Sequence, residues 1–76
     1  MSAMSAMKNV SLTMEGKTYP IRFSTYNKWG KVWVHVVHTS TNRTFEFDLQ
    51  NGQTPEQFFA QPNYPGFLEW LGQQPA

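Results

Sequence analysis

Residues 27–39 read NKWGKVWVHVVHT. The run from Lys31 to Thr39 is rich in Val and aromatic residues, and it is bounded by turn residues: NKWG before it and STNR, residues 40–43, after it. That pattern predicts a β-strand. Three neighbouring stretches support it. VSLTM (10–14), TYPIRFST (18–25) and TFEFDL (44–49) each alternate apolar and polar residues, which is the period of a half-buried strand. The joints EG, NKWG and STNR carry turn residues. No long helical pattern separates the strands, so antiparallel hairpins are the simple connection.

The turns can be tested against one another. With Glu15 and Gly16 as a two-residue loop, Leu12 pairs with Tyr19 and Val10 with Ile21. With Asn27 to Gly30 as a four-residue loop, Phe23 pairs with Val34 and Ile21 with Val36. With Ser40 to Arg43 as the third loop, Val36 pairs with Phe47 and Val34 with Leu49. Together the three choices put Val10, Leu12, Ile21, Phe23, Val34, Val36, Phe45, Phe47 and Leu49 on one face. A slip of one residue would turn a whole strand over, so their agreement carries weight. Pro20 conflicts with it. Pro has no N–H for a ladder, and the meander makes its strand interior, so a bulge there or fraying of the first strand is expected.

The tail is read as the cover for the apolar face. In TPEQFFA, Thr54 can cap a helix, Pro55 suits its first turn and Gln57 completes a capping box. PGFLEWLG (65–72) is a second short helix, with Gly72 as its stop. Phe58, Phe59, Phe67, Trp70 and Leu71 are more apolar side chains than the tail alone can bury. At ~1.5–3 kcal/mol for each large group, four of them supply what a marginal domain needs. The fold class is α+β: a four-stranded antiparallel β-meander with one face covered by one or two short C-terminal helices. Residues 1–7, MSAMSAM, have no periodicity and read as a flexible leader, and residues 8–76 read as a single small domain.

Composition narrows the function. With 76 residues and no Cys, the chain has neither a disulfide framework nor a thiolate metal site. That suits a reducing compartment, and a cytoplasmic location is the expectation. The longest apolar run, VWVHVV, is far short of a membrane span, and the N-terminal stretch lacks the apolar centre of a secretory signal. A net charge of +1 exerts no global pull on nucleic acid. The distribution is uneven, however. Residues 1–43 hold all six basic residues against Glu15 alone, a balance of +5. The remainder holds only Glu46, Asp48, Glu56 and Glu69, a balance of −4.

The second face of the sheet is where recognition residues collect. Trp33 and His35 share it with Arg22, Ser24, Tyr26, Lys31, Val37, Glu46 and Asp48. His38 falls on the core side or its rim, so the two histidines point apart and cannot share a metal. Arg22, His35 and Asp48 line up across three strands as a polar ladder, worth a few tenths of a kcal/mol per pair. Ser24, His35 and Asp48 have the residue types of a hydrolytic triad, but an open sheet supplies neither oxyanion donors nor excluded water. No other catalytic constellation is present. An enzyme is not expected, and neither a cofactor nor a metal is called for.

Tyr26 and Trp33 on a wet face need a reason, because exposed aromatic area often marks an interface. The candidate partner-binding residues are Trp33, Tyr26, Arg22, His35, Lys31, Trp29, Asp48 and Glu46. Two functions fit. The first is a non-catalytic protein-binding module, of the inhibitor or adaptor kind that phages and mobile elements encode. The second is a nucleic-acid-binding sheet, with Arg22, Tyr26, Lys28, Trp29, Lys31, Trp33 and Arg43 stacking bases or entering a groove. In architecture, a sheet followed by a helix resembles the small amino-terminal DNA-binding domains of phage-type integrases, which implies a three-stranded sheet laid into a groove. Glu46 and Asp48 on the same face oppose phosphate, and the protein-binding reading comes first. The fourth strand is an exposed edge, which leaves a homodimer through an edge strand open.

Overall fold

A computed structural model of the protein describes residues 7–75. The leader expected at residues 1–7 lies outside them except for Met7. The described chain forms β1 (Lys8–Met14), β2 (Lys17–Lys28), β3 (Lys31–His38), β4 (Thr44–Asp48), α1 (Pro55–Ala60) and α2 (Pro65–Gly72). The strands make one antiparallel sheet in the order β1-β2-β3-β4, a meander followed by two short helices, as the sequence predicts.

The first hairpin has the expected register: Leu12 faces Tyr19 and Val10 faces Ile21. Glu15 and Gly16 both have positive φ, the signature of the tight turn whose twist matches a two-residue hairpin. The other two registers differ from expectation by two residues each. Phe23 faces Val36 and Ile21 faces His38, because the β2–β3 turn consists of Trp29 and Gly30 alone, again both at positive φ. Val36 faces Phe45 and Val34 faces Phe47. Here the loop is residues 39–42, closed by the His38 amide donating to the Arg43 carbonyl at 2.8 Å, with Asn42 at positive φ. A shift of two leaves every side chain on its expected face, so the two sides of the sheet are as predicted.

Neither a bulge nor fraying occurs at Pro20, which faces Ser11 in an unbroken ladder. Hydrogen bonding alternates from the closing pair Met14–Lys17, so Pro20 turns its missing donor toward β3 rather than β1. It meets β3 just past that strand's last residue. There the Pro20 carbonyl accepts from both the backbone N–H and the hydroxyl of Thr39, at 3.1 and 3.2 Å.

The core lies between the sheet and the helices. Leu12, Tyr19, Ile21, Phe23, Val34, Val36 and Phe47 from the sheet, with Leu49 just after β4, meet Phe58, Phe59, Phe67 and Leu71 from the tail. Phe47 is central, with ring centroids of Phe58, Tyr64 and Phe67 at 4.6, 5.3 and 5.7 Å. Trp70 is only half-buried and stacks on Phe45. Helix α1 has the predicted capping box: the Gln57 amide donates to the Thr54 hydroxyl, and the Thr54 amide donates to the Gln57 side chain. Helix α2 covers Pro65–Gly72, the stretch read from the sequence, and Gln73 caps it.

His38 is fully buried on the core side rather than at its rim. It belongs to a polar chain that ties the β3–β4 loop to the end of α2. Gln74 Nε2 donates to the Trp70 carbonyl, the Thr41 hydroxyl donates to Gln74 Oε1, and His38 Nδ1 lies 3.0 Å from the Thr41 oxygen. With the Thr41 proton committed to Gln74, Nδ1 must carry the hydrogen and donate.

Candidate functional site

The outer face is organised in rows across the sheet, and the observed register decides their membership. Asn9, Arg22, Val37 and Thr44 form one row; Ser24, His35 and Glu46 the next; Tyr26, Trp33 and Asp48 the third. Arg22, His35 and Asp48 are therefore not opposite one another, as the longer turns implied. Arg22 is exposed but separated from the aromatic pair by the whole Ser24 row, so it does not flank Trp33.

The third row and the turn beyond it form one aromatic end. Tyr26 and Trp33 face each other and stack nearly parallel, with centroids 6.4 Å apart and planes at 14°. Trp29 meets Trp33 edge-on at 6.2 Å. Lys28 sits over both indoles, its Nζ 4.3 Å from the Trp29 ring centre and 5.6 Å from that of Trp33. Trp33 is held in place by its Nε1 donating to the Lys28 carbonyl at 3.2 Å. Trp33 is half-buried between its neighbours, whereas Trp29 is 79% exposed.

Trp29 is unusual in its backbone as well. Its φ is +55°, in the left-handed region, as the first residue of a tight hairpin turn. Asn, Asp or Gly normally fills that place, and for a bulky residue it is an outlier. The protein thus holds a large ring in solvent at a position that disfavours it.

Both carboxylates of this face have partners. Lys31 Nζ reaches Asp48 at 3.3 Å. The Tyr26 hydroxyl donates to Glu46 at 2.6 Å, and His35 Nδ1 lies 3.4 Å from the same carboxylate oxygen. Donating to Glu46 pushes the Tyr26 hydroxyl up to about 12, helped by burial and by the carboxylate's charge. Glu46 is held below its ordinary value, chiefly by the Tyr26 hydrogen bond and further by His35 and the charge of Lys28, with burial opposing.

Ser24 faces His35 directly, and the carboxylate near that histidine is Glu46 rather than Asp48. The Ser24 side chain is 1% exposed, and its hydroxyl has no hydrogen-bond partner among the described residues. A serine nucleophile needs a hydrogen-bonded base and an open approach; the buried Ser24 hydroxyl faces His35 without a hydrogen bond to it. No group of three or more His, Asp or Glu among the described residues is placed to hold a metal.

Of the sequence candidates, the structure gathers Tyr26, Trp33, Trp29, Lys31, His35, Glu46 and Asp48 into one patch and leaves Arg22 outside it. Lys28, which the sequence offers only for the nucleic-acid reading, bridges both indoles. Only the two-residue turn, which puts Lys28 opposite Lys31, brings it there. Comparison with protein-family models, curated proteins and solved structures found no match.

Proposed function

We propose that the protein is a non-catalytic protein-binding module, an inhibitor or adaptor, that docks through the aromatic end of its outer sheet face. The observation that carries this reading is Trp29: a ring 79% exposed at positive φ on a tight turn, braced by Trp33 and Lys28. Backbone strain of this kind, of order ~1–3 kcal/mol, persists where something other than stability maintains it. A rigid aromatic projecting from a hairpin loses little conformational freedom on docking, which is what an interface anchor requires. The paired charges around it, Lys31–Asp48 and Tyr26–Glu46–His35, suit the polar rim of such an interface.

One observation favours nucleic acid as the second reading. Lys28 and Lys31 flank Trp29 at the tip, an arrangement able to stack a base between phosphate contacts. Glu46 and Asp48 on the same face weigh against it.

The test compares the wild-type protein with Trp29→Asn, a residue suited to the turn. Protein captured from lysate of the source cells, identified and re-bound in purified form, is expected to lose at least about thirtyfold in affinity with Trp29→Asn, equivalent to ~2 kcal/mol. Unchanged affinity removes Trp29 as the anchor. Titration with a single-stranded oligonucleotide at two salt concentrations decides the second reading. Binding that weakens steeply with salt, and less steeply in Lys28→Ala, replaces the protein partner with nucleic acid.

A further inference from the structure

The sheet has two edges, β1 and β4, and they differ in chemistry. Proteins normally protect edges with charges, Pro, bulges or short strands. β4 is five residues long and carries Glu46 and Asp48. β1 is seven residues long, and from Asn9 to Met14 it has no charge, no Pro and no bulge. Its pairing with β2 uses the even-numbered residues, counting from the closing pair Met14–Lys17, so the backbone N–H and C=O of Asn9, Ser11 and Thr13 point outward. Among the described residues no strand pairs with them. Beside this edge runs a groove lined by Val10, Leu12, Phe23, Phe59 and Ala60, with the Lys8–Glu56 ion pair, at 3.5 Å, also in its lining.

We infer that a second copy of this chain occupies the β1 edge, pairing antiparallel about a two-fold axis at Ser11 to join two sheets into one of eight strands. In that register Ser11 faces its own counterpart and Asn9 faces Thr13 of the second copy, so all three outward-facing residues find partners. Val10 and Leu12 of each copy then stand beside the other's apolar groove. Charge decides between the edges. The same operation on β4, whose outward residues are Thr44, Glu46 and Asp48, would set Glu46 against Glu46, and like charges directly opposite are destabilising. At β1 the charged groups lie only at the ends, and the two-fold sets Lys8 of one copy opposite Met14 of the other, next to that copy's Glu15, so no like charges face each other across the seam.

Sedimentation velocity over roughly 1 µM to 1 mM tests this, a range that covers weak self-association. The wild type is expected to show a concentration-dependent dimer, with the amides of Asn9, Ser11 and Thr13 gaining protection from hydrogen exchange as dimer forms. Ser11→Pro removes an outward donor without touching the β1–β2 ladder and is expected to raise the dissociation constant at least about tenfold. Ser11→Lys, at an exposed position, sets two charges face to face and is expected to do the same in a variant whose fold is not at risk. A protein monomeric over the whole range overturns the inference, as does a dimer that both variants leave intact. Trp29→Asn is expected to leave dimerisation unchanged, so this surface and the aromatic end fail separately.

Discussion

Trp29 is the residue whose chemistry and backbone disagree most. A left-handed conformation costs an L-residue ~1–2 kcal/mol, and Asn tolerates it better than Trp. The ring contact and Lys28 return some of that, but at an exposed site they are worth only ~0.5–1 kcal/mol. Trp29→Asn is therefore expected to leave the melting temperature unchanged or higher. A fall of more than about 4 °C, roughly 1 kcal/mol in a domain this size, would make the ring structural. Tyr26 and Glu46 give a second outcome at this scale. Because the Tyr26 hydroxyl is the main cause of Glu46's low value, Tyr26→Phe should let that carboxyl titrate closer to its ordinary 4.5, as read by NMR titration. The linkage has a definite sign. Glu46's depressed value contributes stability that is present above its ordinary titration and lost as pH falls through its folded value. Tyr26's raised value contributes stability present below its ordinary 10.0 and lost as pH climbs toward about 12. In Tyr26→Phe both limbs should flatten. Unchanged limbs would mean the 2.6 Å bond is not kept in solution.

At the scale of elements, α2 has two attachments. Phe67 and Leu71 are fully buried against the sheet, and Gln74 anchors its end through Thr41 to His38. Ending the chain at residue 64 uncovers Phe45 and Phe47 and exposes the buried His38 chain. The truncated protein is expected to aggregate or lose its cooperative transition; a soluble, cooperatively melting truncation would make α2 a docking element instead. TPEQ announced α1 correctly, because a capping box is a local bond pattern within four residues. The second hairpin register differs by two because Trp does not advertise a left-handed turn and NKWG reads more readily as a four-residue loop; the third differs by two because its loop is residues 39–42, with Asn42 left-handed. By sequence alone, Pro20 disturbs its strand. Instead its missing donor falls just past the end of β3, which cannot be known before the turn length is.

Across the whole molecule, the core rests on Phe47, whose ring touches both helices and the Tyr64 between them. Phe47→Ala is expected to cost ~3–5 kcal/mol, a large share of a small domain's stability and enough to populate the unfolded state at room temperature in urea well below the wild-type midpoint. An unchanged midpoint would mean the sheet buries its other face.

What the sequence determined by itself was sidedness. Side chains alternate along a strand with a period of two, so Val34, Val36, Phe47 and Leu49 were bound to share a face with Ile21 and Phe23 whatever the turn lengths, provided each error was even. Tertiary structure alone decided which outer residues are neighbours. Turn lengths and left-handed residues at Trp29 and Asn42 slid β3 and β4 by two, moved Arg22 away from Trp33, set Glu46 rather than Asp48 beside His35, and brought Lys28 over the indoles. The physical reason is that burial rewards a face as a whole, whereas contacts across a sheet depend on register, and register is fixed by backbone conformation at a few turn residues.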